Sequence, residues 1–114
     1  MDPITSALLL KSLDGLTMRA AANAQNIANA GTPGYRPVRV AFEDALKAAA
    51  REGPAALSAV RPSLEPDPTF QPGDAMRLDL EMAGAAATAG RYAALVELLN
   101  RHAQISALAV TGGR

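Results

Sequence analysis

Asn26-Ile27-Ala28-Asn29-Ala30-Gly31-Thr32-Pro33-Gly34-Tyr35 is the stretch that decides the reading of this chain, because it joins a helix to a turn that cannot be helical. Upstream, Leu9, Leu13, Leu16, Ala20, Asn23 and Ile27 recur at alternating four- and three-residue steps, the spacing of a heptad seam. Asp2 and Pro3 supply an N-cap and a first-turn proline. The helix is expected over residues 3–30, roughly 40 Å at 1.5 Å per residue. Gly31 suits the left-handed position that ends a helix, and Pro33-Gly34 suit the two central positions of a type II turn. Tyr35 then anchors a segment, residues 31–40, that leaves the helix and folds back or docks on a neighbour. Gly15 interrupts the helix and weakens it by about 1 kcal/mol relative to alanine.

Beyond the turn, Pro37, Pro54, Pro62, Pro66, Pro68 and Pro72 leave room for one short helix, residues 41–51, with Phe42, Ala45, Leu46 and Ala49 on its apolar face. Residues 52–78 read as a proline-rich linker, extended or disordered. A second long helix is expected over 79–111, with Asp79 as its cap, Glu81 in its first turn and Gly112-Gly113 closing it. Its seam would run through Met82, Ala85, Ala89, Tyr92, Val96, Leu99 and Ala103. Leu95, Leu98, Ile105 and Leu108 widen the apolar surface beyond what one partner helix covers. The fold class is therefore all-α: two long helices pairing as an antiparallel coiled coil, joined by a short helix and a proline-rich middle segment.

Composition narrows the function classes. At 114 residues the chain is a single unit with a modest core. Eleven basic residues balance eleven acidic ones, and no basic stripe of the kind used on nucleic acids is present, so a nucleic-acid partner is disfavoured. With zero cysteines, disulfides and thiolate metal sites are excluded. Asp2 stands where a cleaved signal peptide would carry its basic region, and no apolar run reaches the roughly 18 residues of a membrane span.

Catalysis finds little support. The single histidine, His102, reads as a helix-surface residue, and Asp79 and Glu81, two apart on a helix, point away from one another. Gly31-Thr32-Pro33-Gly34 follows a helix and lacks the lysine of a phosphate loop. Arg36 and Arg39 are placed to pair with Glu43 or Asp44. Asn23, Asn26 and Asn29 share one helix edge, either as ordinary helix-end polar residues or as amides that fix register against a neighbour. Neither a cofactor nor a metal nor an enzymatic activity is expected.

The run from Asn26 to Tyr35 resembles a signature of the bacterial flagellar axial proteins, the rod and hook family, in which an N-terminal helix ends in Asn-Ile-Ala-Asn-Ala-x-Thr-Pro-Gly-Tyr. The C-terminal third carries a second resemblance, in Leu78-Asp79-Leu80-Glu81-Met82, Arg91-Tyr92 and the stretch from Leu98 to Gly113. Thr88 stands where the family usually has asparagine four residues before the tyrosine. The short chain, and the lack of the glutamine-arginine-alanine-tyrosine run typical of other members, resemble the proximal rod subunits most. The resemblance implies a structural subunit exported through the flagellar type III apparatus without a cleaved signal. It would polymerise with copies of itself and other rod proteins and meet membrane-ring and export-gate components in the periplasmic part of the basal body. Leu9, Leu13, Leu16 and Ile27 of the first helix, with Tyr92, Leu95, Val96, Leu98 and Leu99 of the second, would form its assembly surface. A free-standing helical adaptor or secretion chaperone would share the helices and the charge balance but would not need the Thr-Pro-Gly-Tyr turn.

Overall fold

Asp2 opens the first helix, α1 (Pro3–Ala28), by accepting from the Thr5 backbone N–H at 2.7 Å and from its hydroxyl at 2.9 Å. The computed structural model describes residues 1–112. At its other end α1 stops on Asn29, whose side-chain amide donates to the Gln25 carbonyl at 2.9 Å. That bond satisfies a terminal carbonyl that a left-handed glycine would otherwise help to satisfy. Gly31 accordingly does not take the left-handed conformation expected of it; among the described residues positive φ occurs at Gly34, Gly53 and Gly73. The type II turn is present as expected, with Gly34 at φ +76° and the Tyr35 N–H donating to the Thr32 carbonyl at 3.2 Å.

After the turn the chain departs from an all-α fold. Strand β1 (Val38–Ala41) pairs antiparallel with β2 (Ser63–Pro66), placing Val38 opposite Pro66 and Ala41 opposite Ser63. Val40 points into the core while its neighbours are exposed, an alternation too short to stand out in the sequence. Pro66 sits at the end of the ladder, where a missing N–H is tolerated, and Asp67 donates to the Pro37 carbonyl at 2.8 Å just beyond it. The helix expected over 41–51 is α2 (Glu43–Ala50), with Phe42 as the residue before it. Ala45 is exposed, whereas Phe42, Leu46 and Ala49 are buried as expected. The linker expected over 52–78 is only partly extended, because α3 (Pro54–Ala59) begins on a first-turn proline and β2 follows it. There the prolines punctuate structure instead of preventing it.

These elements share one core, built from Leu16, Ala22, Val40, Phe42, Leu46, Ala49 and the fully buried Leu57. Gly15 is part of its shape. A Cβ at that position would lie 2.6 Å from three atoms of the Phe42 ring, so the residue that weakens the isolated helix makes room for the largest side chain of the core. One turn on, Arg19 holds its guanidinium 4.7 Å from the centre of that ring and donates to both oxygens of Glu43 and to the Val40 carbonyl, all at 2.7 Å. Glu43 thus pairs with Arg19, and the expected pairing with Arg36 or Arg39 is not made.

The last helix, α4 (Leu78–Gly112), runs 35 residues. Asp79 lies inside its first turn and pairs with Arg77 at 2.8 Å, so it does not serve as the cap. Gly113 falls outside the described residues. The two long helices pack together, α1 along most of its expected seam and α4 on a face rotated from the expected one. On α1 the buried residues are Leu9, Gly15, Leu16, Ala22, Asn23 and Asn26, with Ala20 exposed. On α4 they are Glu81 and Thr88, with Leu95 seven residues further on packed against the core, while Met82, Ala89, Tyr92 and Ala103 are exposed. On α4 the shift of one residue, about 100° around the helix, arises because its two buried positions are polar and an apolar count passes over them. The molecule measures 65 × 27 × 13 Å, with a radius of gyration of 17.8 Å.

Candidate functional site

Asn26, wholly buried near the end of α1, uses all four of its side-chain hydrogen-bonding positions. Its Nδ2 donates to the Val38 carbonyl at 2.9 Å and to Glu81 Oε2 at 3.1 Å. Its Oδ1 accepts from the Tyr35 hydroxyl at 2.8 Å and from the Val38 N–H at 2.9 Å. One amide therefore ties together the helix, the aromatic that follows the turn, the first strand and the start of α4. Of the other two asparagines on that edge, Asn23 accepts from the Thr88 hydroxyl at 3.2 Å, and Asn29 ends the helix and accepts from the Thr32 hydroxyl at 3.1 Å. Asn23 and Asn26 fix register inside the chain, between α1 and α4.

Around the amide sits a charged set that was not apparent from sequence. Glu81, only 3 % exposed, pairs with Arg39 at 2.6 Å, and Arg39 also pairs with Asp67 at 3.0 Å. Arg36 adds two bonds to the Asp67 carbonyl, at 3.2 and 3.0 Å. The only sequence signal for this set was the charge of each member, since the partners come from α1, β1, the loop after β2 and α4. Burial pushes the Glu81 carboxyl up, but the hydrogen bonds from Arg39 and Asn26 and the guanidinium charge outweigh it and hold it below the ordinary 4.5. Asp67 is held below 3.8, chiefly by the Thr69 hydroxyl and with help from Arg39, and Glu43 is held low chiefly by Arg19.

Depressed carboxyl values mean that the folded chain binds fewer protons than the unfolded one as acid is added. Their contribution to stability is complete above the unfolded values and is lost as pH falls through the folded ones. The denaturation midpoint is expected to stay flat from about pH 7 to about pH 5.5 and to fall below about pH 4.5. A midpoint that rises on acidification to pH 4 would contradict this arrangement.

The turn itself is exposed, from Ala30 through Gly34, and borders an open cleft of about 650 Å³ completed by Tyr35, Arg36, Phe70, Pro72 and Met76. Nothing lies within 4 Å of a Cβ built on Gly34, so a side chain there would have space but the wrong backbone. Gly34→Val places a β-branched residue at φ +76° and is expected to cost about 2 kcal/mol. Equal urea midpoints for variant and wild type would show that the turn relaxes freely.

The residues expected to form an assembly surface divide in two. Leu9 and Leu16 are buried within the chain, and Leu13, Ile27, Leu95, Val96 and Leu99 are half-buried. Tyr92 and Leu98 are open to solvent. Past His102, whose Nε2 lies 3.4 Å from the Ser106 hydroxyl, every described residue of α4 is exposed, including Ile105, Leu108 and Val110 at 64, 71 and 65 %. The longest exposed stretch is thus the distal part of α4, and exposed apolar side chains also occur at Ile4 and Leu10 of α1 and at Leu80 and Met82 near the start of α4. No helix among the described residues is long and apolar enough to cross a membrane. No family model matches the chain, and no curated protein matches it.

Proposed function

We propose that this chain is a structural subunit of the proximal rod of the bacterial flagellar basal body. In this reading it polymerises with its own copies and with other rod proteins into the shaft between the membrane ring and the distal rod. The observation that carries the proposal is the run from Asn26 to Tyr35, which resembles the axial-protein signature along its length. Its polar members act as one unit, since Asn29 ends the helix, Thr32 and Gly34 make the turn, and Asn26 receives the Tyr35 hydroxyl.

The pairing of the long helices as an antiparallel coiled coil belongs to the same proposal. Its support is the order of contacts, with Asn26 against Glu81, Asn23 against Thr88, and Leu95 packed on the cluster that holds Leu16. The exposed leucine, isoleucine and valine side chains of distal α4 offer apolar surface to neighbouring subunits, and repeated contacts between unlike faces build open helical tubes. Membrane-ring and export-gate components are the further partners, export proceeds without a cleaved signal, and the role is structural, without enzymatic activity or cofactor.

The test is genetic and biochemical. Deletion of the gene is expected to abolish swimming and rod formation, and the chain is expected in purified basal bodies. Leu98→Asp, at a position 50 % exposed in the lone chain, is expected to leave secretion intact and reduce incorporation into rods at least tenfold. Leu95→Asp is the less clean probe, because Leu95 also packs on the core. Normal swimming after deletion, with the chain found soluble in the cell, would favour the free-standing adaptor.

A further inference from the structure

The side chains buried by α4 are unlike those of the other helices. Among its described residues only Glu81 and Thr88 are buried, both are polar, and each bonds to an asparagine of α1. The hydrophobic cluster comes from residues 16–57, with Leu95 of α4 only at its edge. Toward its N-terminal end α4 also presents Gly84, where a Cβ would meet nothing closer than the Asn23 amide at 3.5 Å, and its larger apolar side chains Leu95, Val96 and Leu99 are only half-buried. Arg39 bridges two structures, since Asp67 lies on the loop next to β2 whereas Glu81 belongs to α4. Between them, residues 68–77 contain no helix or strand, two prolines and Gly73 at φ +91°.

We infer that α4 is a detachable arm, which lifts away from residues 3–66 as a unit and is held closed by a polar clasp formed from Glu81 with Asn26 and Arg39, and Thr88 with Asn23. The inference goes beyond the rod proposal and stands independently of it. Lifting α4 uncovers the half-buried Leu95, Val96 and Leu99 but leaves the buried cluster of residues 16–57 assembled, and the clasp groups exchange their partners for water, so this opening requires less free energy than unfolding the rest. Arg39 keeps Asp67 as its partner in the open state. A released α4 with Gly84 and Gly90 in its interior frays in water, and its amides then exchange.

Hydrogen exchange on the full chain, followed residue by residue at neutral pH in sub-denaturing urea, tests this. Amides of α4 between residues 82 and 99 are expected to exchange at least tenfold faster than those of α1 between residues 16 and 26. Glu81→Gln combined with Thr88→Val is expected to raise exchange in α4 a further tenfold while leaving α1 and α2 within twofold. A single opening shared by α1 and α4 in the wild-type chain would overturn the inference, and that comparison decides the matter even if the double variant fails to fold. A variant that loosens α1 and α4 equally would overturn it as well.

Discussion

Asn26→Ala is expected to lower the stability of the chain by about 4 kcal/mol, the largest effect of any single truncation. The alanine removes four hydrogen bonds at once from a site with no access to water. A net contribution of about 1 kcal/mol per bond, with a further penalty for the buried groups left without a partner, outweighs the few tenths that alanine gains as a helix former. Such a loss is comparable with the whole stability of a small domain, about 5–15 kcal/mol, so the variant is expected to unfold well below the wild-type urea midpoint. Tyr35→Phe removes one of the four bonds and is expected to cost only about 1 kcal/mol. If the two substitutions cost the same, the amide is not the shared tie that its geometry describes.

Gly15→Val is expected to cost about 3 kcal/mol, and Gly15→Ala about 1–2 kcal/mol, although both replace a poor helix former in the middle of α1. A Cβ at Gly15 lies 2.6 Å from the Phe42 ring, and a rigid, buried ring beneath the Arg19 guanidinium has little room to retreat. Overpacking of that kind exceeds the propensity gain of about 1 kcal/mol. Gly90 provides the contrast. It also lies inside a helix, but a Cβ there meets nothing within 4 Å, so Gly90→Ala is expected to stabilise the lone chain by up to about 1 kcal/mol. Urea midpoints moving in opposite directions for Gly15→Ala and Gly90→Ala would confirm that the fold reads these two glycines differently. Movement in the same direction would refute the socket.

Those two glycines also mark how far the sequence could be read. Helix propensity assigns Gly15 and Gly90 the same penalty, and only the placement of Phe42, 27 positions along the chain, tells them apart. The long helices, the short helix and the type II turn were legible because their signals are local: a cap, a 3.6-residue period, a proline followed by a glycine. The two-stranded sheet was not, since four residues of alternation in β1 and a proline in β2 fall below any local threshold. The inward face of α4 lies one residue from its apolar seam for a related reason. Apolar periodicity locates a core only where the core is apolar, and Asn23, Asn26, Glu81 and Thr88 occupy the inward positions at this junction. Asn26 was singled out from its spacing with Asn23 and Asn29. Its partners Val38 and Glu81 lie 12 and 55 positions away, a pairing that no local pattern encodes.

The narrow outline of the molecule has a hydrodynamic consequence. A compact domain of this length would have a radius of gyration of about 13 Å, whereas this chain, 65 Å long and 13 Å thick, has 17.8 Å. A body of that shape meets more friction than a sphere of equal mass. The lone chain is therefore expected to elute from a sizing column ahead of globular standards of its own mass, in the range where a dimer would be inferred. Light scattering or sedimentation equilibrium, which report mass independently of shape, would return the monomer.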